Sequence, residues 1–239
     1  MLKLCSIFED WYIPDGTYPE LKKEEKINLA FNIRSCDFEI ISDGIYLFEQ
    51  KKYSEYNFCG KIIYKYSNKS NHNFDIIIVD AKYFKFYMEV ENNTKIFVGQ
   101  FIKGNGSLFV DNYIWVEFLS MYKKSPDIFY NLIIEKILEI NIPEKFMKDY
   151  SNGSISYPSY LERKDHENDN IKEIEKMNSN GNKKFYLLEL RQIDEKIDKT
   201  YYRINLKDAW KLMELKGLRL KAFKMKLQFR KIYRYFKKK

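Results

Sequence analysis

Between Phe74 and Leu119 the chain reads as a succession of strands. Ile76-Ile77-Ile78-Val79 is a β-branched run of the kind a strand buried on both faces carries. Phe84, Phe86, Met88 and Val90 then alternate with Lys85, Tyr87 and Glu89, the two-residue period of a half-buried strand. Asn92-Asn93 supplies turn chemistry, because Asn tolerates positive φ and bonds its own backbone. Ile96-Phe97-Val98 starts a further strand that Phe101-Ile102 continues. Gly104-Asn105-Gly106 has the composition of a hairpin turn. The pattern resumes at Leu108 and Val110, and again at Ile114, Val116 and Phe118, with Asp111-Asn112 as a tight turn or bulge. No crossover helix fits between these strands, so they are expected to form an antiparallel meander. The spacing of Gly99, Gly104 and Gly106 matches no phosphate-binding loop, and no helix follows to hold an anion.

The same patterning extends upstream. Ile27, Leu29, Phe31 and Ile33 alternate with Asn28, Ala30 and Asn32 as a strand. Phe38–Ile41 and Ile45–Phe48 flank Ser42-Asp43-Gly44 and predict a hairpin. Phe58–Tyr66 predicts another strand. Pro14-Asp15-Gly16 is a turn, since Pro presets φ and Gly supplies the left-handed position. Trp11 and Tyr18 around it are expected to pack on the β domain rather than form an exposed aromatic loop.

Downstream, Tyr130–Ile142 fits both a helical stripe and a strand. Its isoleucine content, flanking prolines and β context favour strand. Residues 151–184 lose apolar content and gain Asn, Ser, Gly and charge, as in a linker or long loop with one short helix around Ile171 to Met177. Phe185–Ile193 reads as a strand returning through Tyr201–Ile204. From Leu206 the residues favour helix, with a seam of Leu218, Ala222, Met225, Phe229, Ile232 and Phe236 and a kink near Gly217. The expected fold is α+β. A β-rich antiparallel N-terminal sandwich or barrel-like domain spans residues 1–150. A polar linker follows over 151–184, then a smaller C-terminal hairpin-plus-helix unit over 185–239.

Composition narrows the function classes. At 239 residues the chain can hold one large domain or two small ones, and 17% aromatics can fill a β-rich core. The favoured Lys, Asn, Ile, Tyr and Phe have A/T-rich codons, as in an A/T-rich bacterial or phage genome. Part of the +8 net charge is therefore codon bias. Cys5, Cys36 and Cys59 are odd in number and form no CxxC. Residues 1–8 are too short for a signal-peptide core. A reducing cytoplasm with buried structural thiols is expected. No apolar run is long enough for a spanning helix.

The basic charge is concentrated at one end. Residues 206–239 hold thirteen Lys or Arg against two acids, a net of +11, so the remaining chain carries −3. Aromatic residues interleave there. Arg219, Lys224, Arg230, Lys231 and Arg234 are candidate nucleic-acid contacts, since cations neutralise phosphates and aromatics stack on bases. A helix packed with its lysines in solvent, or one lying on an anionic membrane, competes with that reading.

Catalytic signatures are sparse. His72 and His166 sit in polar loops with no partner at metal-ligand spacing. Nucleophile-elbow, zincin and kinase motifs are absent. One constellation stands out. In the expected hairpin Asp37 faces Glu49, with Lys51 two residues on. An acid opposite Glu-x-Lys resembles the metal-binding core of PD-(D/E)xK nucleases. The resemblance implies two carboxylates on Mg²⁺ and a lysine beside the attacking water. It covers about fifteen residues, and Cys36 stands where that pattern has Pro. The expected function is therefore a non-enzymatic cytoplasmic interaction protein of the immunity or anti-toxin type, with a protein partner and without metal or cofactor. The alternative is a nucleic-acid-binding protein using its basic C-terminal segment, and beyond that a Mg²⁺-dependent nuclease at Asp37, Glu49 and Lys51.

Overall fold

Eleven strands join in one sheet: β1 (Lys3–Glu9), β2 (Lys26–Leu29), β3 (Phe31–Ile41), β4 (Leu47–Lys52), β5 (Glu55–Ser67), β6 (Phe74–Asp80), β7 (Lys85–Glu91), β8 (Phe101–Val110), β9 (Tyr130–Asn141), β10 (Ile171–Ile174) and β11 (Lys184–Gln192). The computed structural model describes residues 2–13, 18–67, 74–91, 93–111, 125–141, 171–178, 184–195 and 197. Of the two compact units into which the chain divides, all of these but Ser125 belong to the one formed by Met1–Asn112 and Pro126–Tyr201.

The strand order is β10-β9-β11-β1-β8-β3-β7-β6-β5-β4, with β2 on β9 and a further pairing of β5 with β8. That last pairing, Glu55–Lys61 against Ser107–Phe101, closes β8, β3, β7, β6 and β5 into a five-stranded barrel. A second circuit runs β2-β9-β11-β1-β8-β3. It closes through the chain itself, because only Ala30 separates β2 from β3. The Ala30 carbonyl accepts from the Asp111 N–H at 2.9 Å, so pairing continues across the interruption. The β2–β3 strand and β8 thus belong to both circuits. Accordingly Gly106–Val110 is buried on both faces, whereas Phe101–Asn105 alternates in exposure.

Aromatic rings fill the interior. Phe48 stacks on Tyr56 with ring centroids 4.5 Å apart and meets Phe84 at 4.4 Å. Phe86 meets Phe58 edge-on at 5.2 Å. Phe84 continues the chain to Tyr130 at 5.0 Å and Phe31 at 5.6 Å, linking residues of both circuits. Phe8, Tyr12 and Tyr18 form a second group, with Phe8 edge-on to both tyrosines.

Polar groups enter this core in bonded sets. Glu9, 9% exposed, accepts from Arg34 Nη1 at 2.9 Å and from the Tyr12 hydroxyl at 2.7 Å. The Arg34 guanidinium also lies over the Phe109 ring, 4.3 Å from its centroid. Fully buried Asp111 accepts from the Tyr87 hydroxyl at 2.6 Å through its side chain and from the Tyr18 hydroxyl at 3.0 Å through its carbonyl. Tyr56 ties the two circuits together, accepting from the Cys5 N–H at 2.7 Å.

The β-rich expectation holds: the strands at 26–33, 58–66, 76–79, 84–90 and 130–141 are where patterning placed them. Tyr18 is buried, as expected; the Trp11 side chain lies outside the described residues. Other expectations are corrected. Asp37–Ile41 pairs with β8 and Leu47–Gln50 with β5, so the predicted hairpin of Phe38–Phe48 does not form. Gly104-Asn105-Gly106 is no turn but the middle of β8. A Cβ on Gly104 would lie 2.5 Å from the Asp37 carbonyl, so glycine there permits close strand approach. Ile96–Val98 is loop; strand begins after Gly99, whose φ is +101°. Ile171–Ile174, expected in a helix, is a strand, because the open edge of β9 offers it a hydrogen-bond ladder. Lys3–Glu9, unread as a strand, pairs along its whole length with β11. Phe185–Gln192 is a strand, but it inserts between β1 and β9 rather than forming a separate C-terminal hairpin. Tyr201–Ile204, the helix over 206–239 and the strand at 114–118 lie outside the described residues, as does most of the linker over 151–184.

The buried phenols make stability pH-dependent. Burial raises Tyr12 and Tyr87 well above 10, with Asp111 adding to the effect at Tyr87, and raises Tyr130 and Tyr186 to about 12. Unfolded tyrosines ionise near pH 10, so above that pH the unfolded chain holds fewer protons than the folded one. Stability from these groups is fully present below pH 10 and falls as the pH rises toward 12. An alkaline titration should show phenolate absorbance appearing together with loss of tertiary circular dichroism, and Tyr87→Phe should shallow the decline. Smooth ionisation of all phenols without unfolding would contradict this.

Candidate functional site

Four strands lie side by side where β8 leaves the doubly covered region: β3, β8, β5 and β4. Directly opposed residues share a face, so register sets the surface. One row runs Asp37, Asn105, Asn57, Glu49; the next runs Glu39, Lys103, Cys59, Leu47. The segment from Ser42 to Tyr46 returns the chain from β3 to β4 across two intervening strands. A Cβ on Gly44 would stand 2.7 Å from Cys59 Sγ and 3.0 Å from Phe101 and Ile41, so this crossing runs hard against the same face and admits glycine. Tyr46 lies on the Phe101 ring at 5.3 Å.

On these four strands lies a groove of about 480 Å³. Asp37 and Glu39 line it from β3, Lys103 and Asn105 from β8, Asn57 and Phe58 from β5, with Phe38 and Leu47 adding apolar surface. Leu47 on its wall is exposed, as are Tyr46 and Ile45 just before it in the chain, Ile45 at 89%. Among the residues described around the groove there is no histidine and no nucleophile with an adjacent base. Burial raises the Cys59 thiol above its usual range, although Lys103 acts the other way, which keeps it a protonated thiol at neutral pH. The groups presented suit binding: two carboxylates, an ammonium, two amides and an apolar wall.

Asp37 is thus in the groove, but Glu49 is not its hairpin neighbour. Two strands separate them, three inter-strand steps or roughly 14 Å across the sheet. Carboxylates sharing one Mg²⁺ each reach it at about 2 Å. Lys51 stands at a register shift between Gln50 and Lys52, both paired to β5. The nuclease-like arrangement is therefore not assembled, because it rested on a β3–β4 pairing that β8 and β5 replace. Among the described residues no group of three or more His, Cys, Asp or Glu could hold a metal ion. His72, His166, Arg219, Lys224, Arg230, Lys231 and Arg234 lie outside the described residues, as does the Cys36 side chain. Cys5 and Cys59 are free and buried, and burial raises Cys5 to about 12. Glu39, Lys103, Asn57 and Asn105 escaped sequence reasoning, since they come together from three strands. The alternation of Asp37 and Glu39 on one strand was the sole local signal.

Mg²⁺ should leave the melting temperature where NaCl of equal ionic strength leaves it. A Mg²⁺-specific rise that disappears in Glu49→Ala would reinstate a shared-carboxylate site. No protein-family model, curated protein or solved structure matches this chain.

Proposed function

We propose that this protein is a non-enzymatic binding protein that takes a segment of a partner protein into the groove between β3, β8, β5 and β4. The observation carrying this reading is the juxtaposition of a polar, net acidic groove with exposed Leu47 on its wall and exposed Ile45 and Tyr46 just before it in the chain. Large exposed apolar side chains grouped beside a cleft are what a docking surface requires and a solvated surface avoids. Asp37 and Glu39 favour a cationic side chain on the incoming segment, and the exposed apolar side chains favour an aliphatic or aromatic one beside it. An immunity or anti-toxin role is a binding role of this kind.

A peptide array varied in charge and hydropathy, probed with the purified full chain, tests the reading. Retention is expected on peptides with Lys or Arg next to a large apolar residue. It should drop at least tenfold in Asp37→Lys/Glu39→Lys and in Ile45→Ser, and persist in Lys172→Glu, which is exposed on β10. Equal retention by every variant, or retention without preference for cationic peptides, would sink it.

The charge count supports a second reading, in which residues 206–239, net +11, bind nucleic acid. Gel-shift titrations on single- and double-stranded DNA and RNA should then show affinity falling steeply with salt, and weaker binding by Arg230→Glu/Arg234→Glu. A salt-insensitive shift, or none at low salt, removes this reading.

A further inference from the structure

Among the described strands β4 ends the sheet: it pairs with β5 and lies last in the strand order. Every residue of it except Phe48 is exposed. An open strand edge presents unpaired N–H and C=O groups and templates the addition of another strand.

The side chains of β4 say which strand fits. Its sequence is Leu47-Phe48-Glu49-Gln50-Lys51-Lys52. Laid antiparallel on itself about a twofold axis through Gln50, Glu49 faces Lys51 of the second copy and Lys51 faces its Glu49. Gln50 meets Gln50. Opposite charges directly across two antiparallel strands attract, and twofold symmetry makes each such pair occur twice. Shifting the register by one residue either sets Glu49 opposite Gln50 or replaces both pairs with reciprocal Glu49–Lys52 pairs, so Glu49 meets a lysine in two neighbouring registers. Lys51 has no ladder partner on β5, because Gln50 pairs Tyr56 and Lys52 pairs Glu55. Exposed Ile45 and Tyr46 lie just before the amino end of the paired segment.

We infer that two copies of this chain associate through antiparallel pairing of β4 with β4, with Glu49 of each copy opposite a lysine of the other, Lys51 when the axis passes through Gln50. With the axis there, the association extends the row Asp37, Asn105, Asn57, Glu49 onto Lys51 of the second copy, which places that lysine at the outer end of the row that runs through the groove. It stands independently of what the groove binds.

Sedimentation velocity of the full chain over a concentration series tests it, with circular dichroism confirming that each variant is folded. The wild-type chain should form dimers. Glu49→Lys and the paired change Lys51→Glu/Lys52→Glu each set like charges against one another in both registers and should raise the dissociation constant roughly tenfold or more. The combined Glu49→Lys/Lys51→Glu chain restores opposite charges across the axis and should return to near wild-type association. A wild-type chain that stays monomeric would overturn the inference and leave Lys51 and Lys52 as edge protection. Glu49→Lys or Lys51→Glu/Lys52→Glu chains that dimerise like wild type, or a combined Glu49→Lys/Lys51→Glu chain as weak as Glu49→Lys, would overturn it as well.

Discussion

The ladder between β3 and β8 is the constraint on which the rest of this structure depends. Nine residue pairs join the two strands, from Phe31–Val110 to Ile41–Phe101. One end of that ribbon is shared by the closed barrel and the second circuit, and the other end leaves one face to solvent. Its register fixes which side chains line the interior and which line the groove. A slip of one residue in the half-open part would turn Asp37 and Glu39 toward the interior. The bulge between Arg34 and Asp37 carries the ribbon from the doubly buried part to the half-open part.

The interior sets many buried rings, tyrosines among them, within a larger aliphatic core, and the tyrosines shape its energetics. Tyrosines bring hydroxyls that must be bonded when buried, and they are: to Glu9, to Asp111 and to backbone at Cys5, Lys85 and Asn178. Breaking one such bond leaves a desolvated partner, which costs more than the bond contributes on its own. The polar sets around Glu9 and Asp111 therefore specify one arrangement of β1, β3, β7 and β8, where apolar residues alone would tolerate several. The same feature ties stability to the protonation of phenols.

The groove arises where this covering stops. Over Gly106–Val110 both faces of β8 are buried; over Phe101–Asn105 one face is free. The Ser42–Tyr46 crossing runs against that face at Cys59 and Phe101, and β4 is the last strand beyond β5 among the described residues. Groove and edge are thus two consequences of one topology, in which the chain skips from β3 over two strand positions to β4. Glu49 and Lys51 belong to the edge and not to the groove, so charges that resemble a catalytic set in sequence are set apart from Asp37.

Much of the fold was legible in the sequence. Alternation at Phe84–Val90 and the β-branched run at Ile76–Val79 mark strands by themselves, because side-chain period and propensity are local properties. Even Tyr130–Asn141, ambiguous by periodicity, followed from composition. Pairing was not legible. Gly104-Asn105-Gly106 has the composition of a turn, and nothing local reveals that Asp37 and Phe38 pack against Gly104 from across a ladder. Ile171–Ile174 became a strand because β9 had an edge to fill, and Lys3–Glu9 because β11 lay beside it. The candidate site was illegible for the same reason: Asp37, Asn57 and Lys103 are neighbours only after β8 and β5 have come between β3 and β4. The sequence by itself determined that this chain builds strands and how they alternate. Tertiary structure alone decided which strands meet, because a ladder's free energy depends on partners far apart in the chain.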